Sequence, residues 1–107
     1  MKPILYYTTF ATLEDGRKIT DQLITEGLAG CVNLLAGMES SYMWEGKLEH
    51  SQEVATIIKT SSSLADVCME RLAELHPYEV PCILSIPIET GHAPYISWLL
   101  GQCAGGK

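Results

Sequence analysis

Residues 31–60 read CVNLLAGMESSYMW-EG-KLEHSQEVATIIKT. Strict alternation places Val32, Leu34, Ala36, Met38, Ser40, Tyr42 and Trp44 on one face. Cys31, Asn33, Leu35, Gly37, Glu39 and Ser41 take the other. Gly37 marks a bulge, and a bulge shifts that register by one from that point. Glu45-Gly46 is a two-residue hairpin turn, a weaker form of the Asn-Gly signal. Lys47 to Thr60 returns as a second strand. It alternates at first and then becomes the apolar run Val54-Ala55-Thr56-Ile57-Ile58, as expected of a strand half buried on both faces.

Outward from this hairpin, the remaining elements follow in order. Ile4 to Thr9 is β-branched and aromatic, a first strand buried on both faces. Thr12 with Asp15 is a capping signal, followed by Ile19, Leu23, Ile24 and Leu28 at helical spacing. Gly27 and Gly30 mark the helix exit. Gly16 inside this helix costs about 1 kcal/mol relative to Ala. Ser63 with Asp66 repeats the capping signal, and Leu64, Val67, Cys68, Leu72 and Leu75 form a second helical stripe. Pro77 stops that helix. Val80 to Ile88 reads as a fourth strand with Pro81 and Pro87 at its ends or on a sheet edge. Ala93 to Leu100 is a short closing helix, and the chain loosens from about Gly101. The order β-α-β-β-α-β plus a C-terminal helix is an α+β, ferredoxin-like split βαβ with an antiparallel sheet, in a single domain over 1–107.

The two hairpin strands run about 14 residues each, which is about 45 Å at roughly 3.3 Å per residue. A globule of this length has a radius of gyration of about 13 Å and is about 34 Å across. The hairpin therefore overhangs its own body, with Met38, Tyr42, Met43 and Trp44 toward its tip. Bare apolar area and an unpaired strand edge are both costly. Pairing with further copies in a closed ring resolves the cost. A hairpin bent at Gly37 and folded back on its own chain is the other solution.

Seven Lys and Arg against thirteen Asp and Glu give a net charge of −6. That sign argues against nucleic acid or an anionic membrane as the partner. No apolar run is long enough for a transmembrane helix, and no secretory signal opens the chain, so the expected compartment is the cytoplasm. Cys31, Cys68, Cys82 and Cys103 show no CxxC spacing and read as free thiols.

His76, Glu79 and Cys82, in the loop HPYEVPC, offer imidazole, carboxylate and thiol at spacings of three. This donor mixture suits a divalent ion such as Cu or Zn. The same residues also have plain roles, with His76 closing a helix C-terminus and Glu79 accepting from backbone or Lys59. Lys59, in an apolar run, needs solvent or a carboxylate partner, or else binds an anionic ligand. Tyr42 and Trp44 form either a ligand pocket or packing between copies. Nucleophile elbow, P-loop, HExxH and dinucleotide motifs are absent, and the chain reads as a non-enzyme.

Three segments then carry a resemblance: LAGCVNL (28–34), YMWEGKLE (42–49) and HPYEVP (76–81), with Lys59-Thr60 and YISWL (95–99) at matching spacing. Together they resemble the CutA divalent-cation tolerance family over nearly the whole chain. The resemblance implies a tight homotrimer whose hairpins complete neighbouring sheets, a link to copper and other divalent cations, and a cytoplasmic setting in bacteria. It also implies a cleft between subunits, carried here by Cys31, Tyr42, Trp44, Lys59, His76, Tyr78 and Glu79. The chain departs from the family pattern at Cys82, where Glu or Gln is usual, and at Tyr7-Thr8-Thr9, where some metal-binding members have a cysteine. The leading expectation is a non-enzymatic trimer that binds divalent cations through His76, Glu79 and Cys82. The alternatives are a small-molecule-sensing or signalling trimer, with Lys59 and Tyr78 at an anion pocket, and a scaffold for protein partners.

Overall fold

The computed structural model describes residues 2–103. Strand β1 (Pro3–Phe10) leads to helix α1 (Leu13–Thr25), then to β2 (Cys31–Trp44) and β3 (Lys47–Ser61). A 3₁₀ turn (Ser62–Leu64) opens α2 (Ala65–Leu75), and β4 (Ile83–Pro87) and α3 (Ala93–Gln102) complete the chain. The four strands form one antiparallel sheet in the order β2-β3-β1-β4. This is the expected ferredoxin-like arrangement, with β1 and β3 in the middle.

Local chemistry explains the element ends. Thr12 Oγ1 accepts the Asp15 N–H at 3.1 Å and starts α1. Gly27, at φ +77°, ends it. Glu45 and Gly46 both have positive φ, the signature of the tight turn whose twist matches a hairpin. On the 3₁₀ turn before α2, the Ser61 hydroxyl accepts the Ser63 N–H at 3.2 Å. The fourth strand is shorter than Val80–Ile88: Pro81 has no N–H to give a ladder, Val80 is 87% exposed, and pairing begins at Ile83. Gly101 and Gln102 stay helical and Cys103 is buried, so the loosening expected from about residue 101 is not seen through 103. The rest of that expected tail, 104–107, lies outside the described residues.

The core lies between the sheet and helices α1 and α2. Tyr6, Phe10, Val54 and Ile58 meet Ile19, Leu23, Cys68 and Leu72 there. Tyr6 reaches across to donate to the Ala65 carbonyl at 2.6 Å. Gly16 is buried where α1 crosses the sheet. A Cβ there would lie 3.1 Å from both Leu34 and Phe10, so the helix-propensity cost of this glycine permits close packing. Burial, with Cys103 nearby, pushes the Cys68 thiol up to about 12, which leaves it an inert core group.

The bulge expected at Gly37 is present. Leu35 pairs with Ala55 and Met38 with Glu53, so Ala36 and Gly37 together oppose Val54. Residues directly opposite in a ladder share a face. The bulge therefore moves Met38, Ser40, Tyr42 and Trp44 onto the face of Cys31, Asn33 and Leu35, away from the helices. Met43 and Leu48, a directly opposed pair on the other face, reach past the core and are 64% and 63% exposed. The molecule measures 47 × 25 × 21 Å, so the overhang inferred from strand length is real. On the helix-free face, Leu35, Ile57, Leu84 and Ile86 are exposed. Among the described residues, no helix is long and apolar enough to cross a membrane.

Gly37 sits at φ +93°, and a Cβ at this position would meet nothing within 4 Å. Its constraint is conformational and not steric. Gly37→Val is expected to lower unfolding stability by about 1–3 kcal/mol, while Ala36→Val, beside it in the bulge, stays close to neutral. Urea denaturation of the two variants checks this.

Candidate functional site

One cleft of about 740 Å³ opens at the root of the overhanging hairpin. Its floor comes from the bulged register: Tyr42 and Trp44 of β2, then Glu49, Ser51 and Glu53 of β3, with Thr9 of β1 behind them. The loop between α2 and β4 supplies the other wall through Tyr78, Glu79, Val80 and Cys82. Among the described residues, the lining holds no Lys, Arg or His.

The loop is fixed by His76, which is buried. Its ring stacks on Phe10 at 4.6 Å and 10°, and Tyr78 tilts against it at 4.7 Å. The Nε2 atom lies 2.8 Å from the Thr9 carbonyl, which can only accept, so Nε2 carries the proton. The Nδ1 atom accepts the Tyr78 backbone N–H at 3.2 Å. Both ring nitrogens are thus committed and the imidazole is neutral. Burial lowers its pKa, and this outweighs the opposing pull of the Thr9 carbonyl and Glu53. His76, the residue expected from sequence as the best metal ligand, is in this protomer a strut between the loop and β1.

Tyr78 donates its hydroxyl to Glu53 at 2.9 Å. Burial and this hydrogen bond to a carboxylate push the Tyr78 phenol up to about 12. Burial opposes ionisation of Glu53, but hydrogen bonds from the Ser40, Tyr78 and Thr9 side chains and the nearby His76 outweigh it. The Glu53 carboxyl therefore lies below its ordinary value and is ionised at neutral pH.

Five of the residues named from sequence meet here: Tyr42, Trp44, Tyr78, Glu79 and Cys82. Cys31 and Lys59 do not line the cleft. They form a directly opposed pair toward the other end of the sheet. Lys59 finds a hydroxyl where a carboxylate was expected, donating to Tyr95 at 3.1 Å with its ammonium 5.3 Å from that ring's centre. Glu79 and Cys82 are exposed, while His76 is turned inward. Among the described residues, no group of three or more His, Cys, Asp or Glu side chains is arranged to hold a metal ion. His76, Glu79 and Cys82 are thus not gathered into such a group among the described residues of one chain. Glu49 and Glu53 are the site residues that sequence spacing does not single out. Their signal is the four-residue interval on one strand face, which acquires meaning only once the bulge is placed.

A family model described as CutA1 divalent ion tolerance protein matches residues 4–102. The divalent-cation tolerance protein CutA of Pyrococcus horikoshii is 40% identical over 99 residues, covering 92% of this chain and 96% of its own length. The chloroplastic protein CutA 1 of Oryza sativa subsp. japonica is 41% identical over 96 residues, covering 90% of this chain. This chain spans about half the length of that relative (54%) and of its Arabidopsis thaliana counterpart (53%). The crystal structure of CutA1 from Oryza sativa superposes with a TM-score of 0.92 at 38% identity, covering 96% of this chain and 94% of that one. The divalent cation tolerance protein of Thermus thermophilus gives 0.89 at 34% identity, with 95% and 99% covered.

The His76 strut has a pH signature. Its folded pKa is depressed below 6.5, so the stability it contributes is fully present above that value. The contribution is lost as pH falls through the folded pKa, because the unfolded chain binds the proton first. The corresponding loss from Glu53 begins only below its ordinary value of 4.5. Unfolding midpoints measured from pH 7.5 down to pH 5 are expected to decline for the parent, and to decline less for His76→Asn.

Proposed function

We propose, because this chain belongs to the CutA1 divalent ion tolerance family, that it acts as a homotrimer binding divalent cations, copper first, in the cleft where copies meet. The observation that carries the oligomer is the 47 Å long axis of a molecule 25 and 21 Å in its other dimensions. The hairpin responsible bears Met43 and Leu48 where its own core cannot reach. The helix-free sheet face adds Leu35, Ile57, Leu84 and Ile86, and covering them releases water from a connected apolar area. Three copies is the number the family resemblance implies.

The cleft supports the cation. Glu49, Glu53 and Glu79 line it, and no Lys, Arg or His is among the described lining residues; Lys47, opposite Trp44, stands beyond the lining toward the hairpin tip. Cys82, exposed on the same wall, adds a soft donor that favours copper over harder ions. Glu79 and Cys82 are the donors of one chain, and a neighbouring copy completes the set. The proposed role is binding without catalysis. The four unpaired cysteines suit the reducing cytoplasm as its setting.

Light scattering of the reduced protein is expected to give three times the 11.7 kDa protomer mass. The mass of a single protomer would remove both the trimer and its shared site. In copper titrations of the same sample, Cys82→Ser and Glu79→Gln are each expected to weaken binding roughly tenfold or more. Unchanged affinity in both variants would place the metal elsewhere.

A further inference from the structure

The cleft has a second kind of content that a metal ion does not use. Three aromatic side chains, Tyr42, Trp44 and Tyr78, stand along it. Tyr42 is directly opposite Glu49, and Trp44 lies one same-face step further toward the tip. At the root, the Tyr78 hydroxyl touches Glu53. The groove thus runs from a carboxylate with a ring at its root to a carboxylate with two rings near its tip. Ser51 lies between them.

Glu49 and Glu53 are four residues apart on one strand face, a separation of about 13 Å along β3. Metal–oxygen bonds to hard cations are about 2.0–2.6 Å long, so a small ion seated at Glu53, whose carboxylate is held at the root by Tyr78, leaves Glu49 as a second anionic point nearer the tip. A linear organic cation can serve both. Its separated ammonium groups would meet the two carboxylates, and its methylenes would lie on the ring faces, where cation–π attraction adds to apolar contact. The cavity volume of about 740 Å³ is in the range of small-molecule sites.

We infer that this groove binds a linear aliphatic polyamine, an organic counterpart of the divalent ions, along the line Glu53–Tyr78 to Glu49–Tyr42–Trp44. The inference rests on the reading of the cleft as a cation site. It adds a ligand class and a set of residues distinct from the Glu79 and Cys82 donors.

The test titrates spermidine and copper separately into the reduced, assembled protein by calorimetry at 150 mM NaCl, where loose charge attraction is screened. Spermidine is expected to bind once per protomer. Ethylenediamine, too short to span the two carboxylates, should bind markedly more weakly. Glu49→Gln is expected to weaken spermidine about fivefold, and Trp44→Leu about three- to tenfold. Circular dichroism and solution mass check that each variant folds and assembles, and Glu49→Gln carries the test should Trp44→Leu fail to. Copper binding without spermidine binding overturns the polyamine inference alone. Spermidine binding without copper binding overturns the metal reading alone. Equal spermidine binding to parent and both variants marks it as unspecific attraction to an acidic protein and also overturns the inference.

Discussion

Everything at the cleft depends on one extra residue in one strand. Ala36 and Gly37 together oppose Val54, and the glycine's left-handed φ of +93° makes that count possible. Because side chains alternate with a period of two, a single insertion reverses every side chain beyond it. Without the bulge, Tyr42 and Trp44 would share a face with Val32 and Leu34 and project on the helix side. With it, they stand beside Glu49 and Glu53 on the helix-free face. The aromatic and acidic groups of the cleft meet only because the backbone accepts this irregularity.

The second support is His76. A buried imidazole with both nitrogens satisfied joins the α2–β4 loop to the end of β1 through the Thr9 carbonyl, and its ring stacks on Phe10. Its place after the last turn of α2 follows from Pro77, which ends the helix. The rigid corner that results holds Tyr78 against Glu53 and leaves Glu79 and Cys82 facing outward. A histidine, a carboxylate and a thiol at three-residue intervals suggest a chelate when read along a line. In three dimensions the loop turns the first of them away from the other two.

The fold was legible because its signals are local. The alternation of residues 31–44, the Glu45-Gly46 turn, the Thr12 cap and the stop at Pro77 each act within a few residues, and each stands at or near its expected place. The excess strand length over body size was equally readable and gives the molecule its 47 Å axis. The site was legible only in part. Tyr42, Trp44, Tyr78, Glu79 and Cys82, named from sequence, line one cleft, but the Glu53–Tyr78 pair joins residues 25 positions apart and has no periodic trace. The partner of Lys59 was also hidden, since Tyr95 lies 36 positions away on a helix whose docking no pattern specifies. The end of β4 nearest the loop was overextended because Val80 has strand propensity, while the proline after it denies the ladder a donor.

The seating of β1 between β3 and β4 imposes an order on biosynthesis. The first strand to leave the ribosome waits for Ser61 before its inner neighbour is complete and for Pro87 before its outer one is. The β2–β3 hairpin, by contrast, zips from a two-residue turn and forms on its own within microseconds. A nascent chain that forms this hairpin first carries both of its long edges vacant, the kind of edge on which chains pair wrongly. Docking of β1 closes the β3 edge, and the β2 edge stays open in the finished protomer.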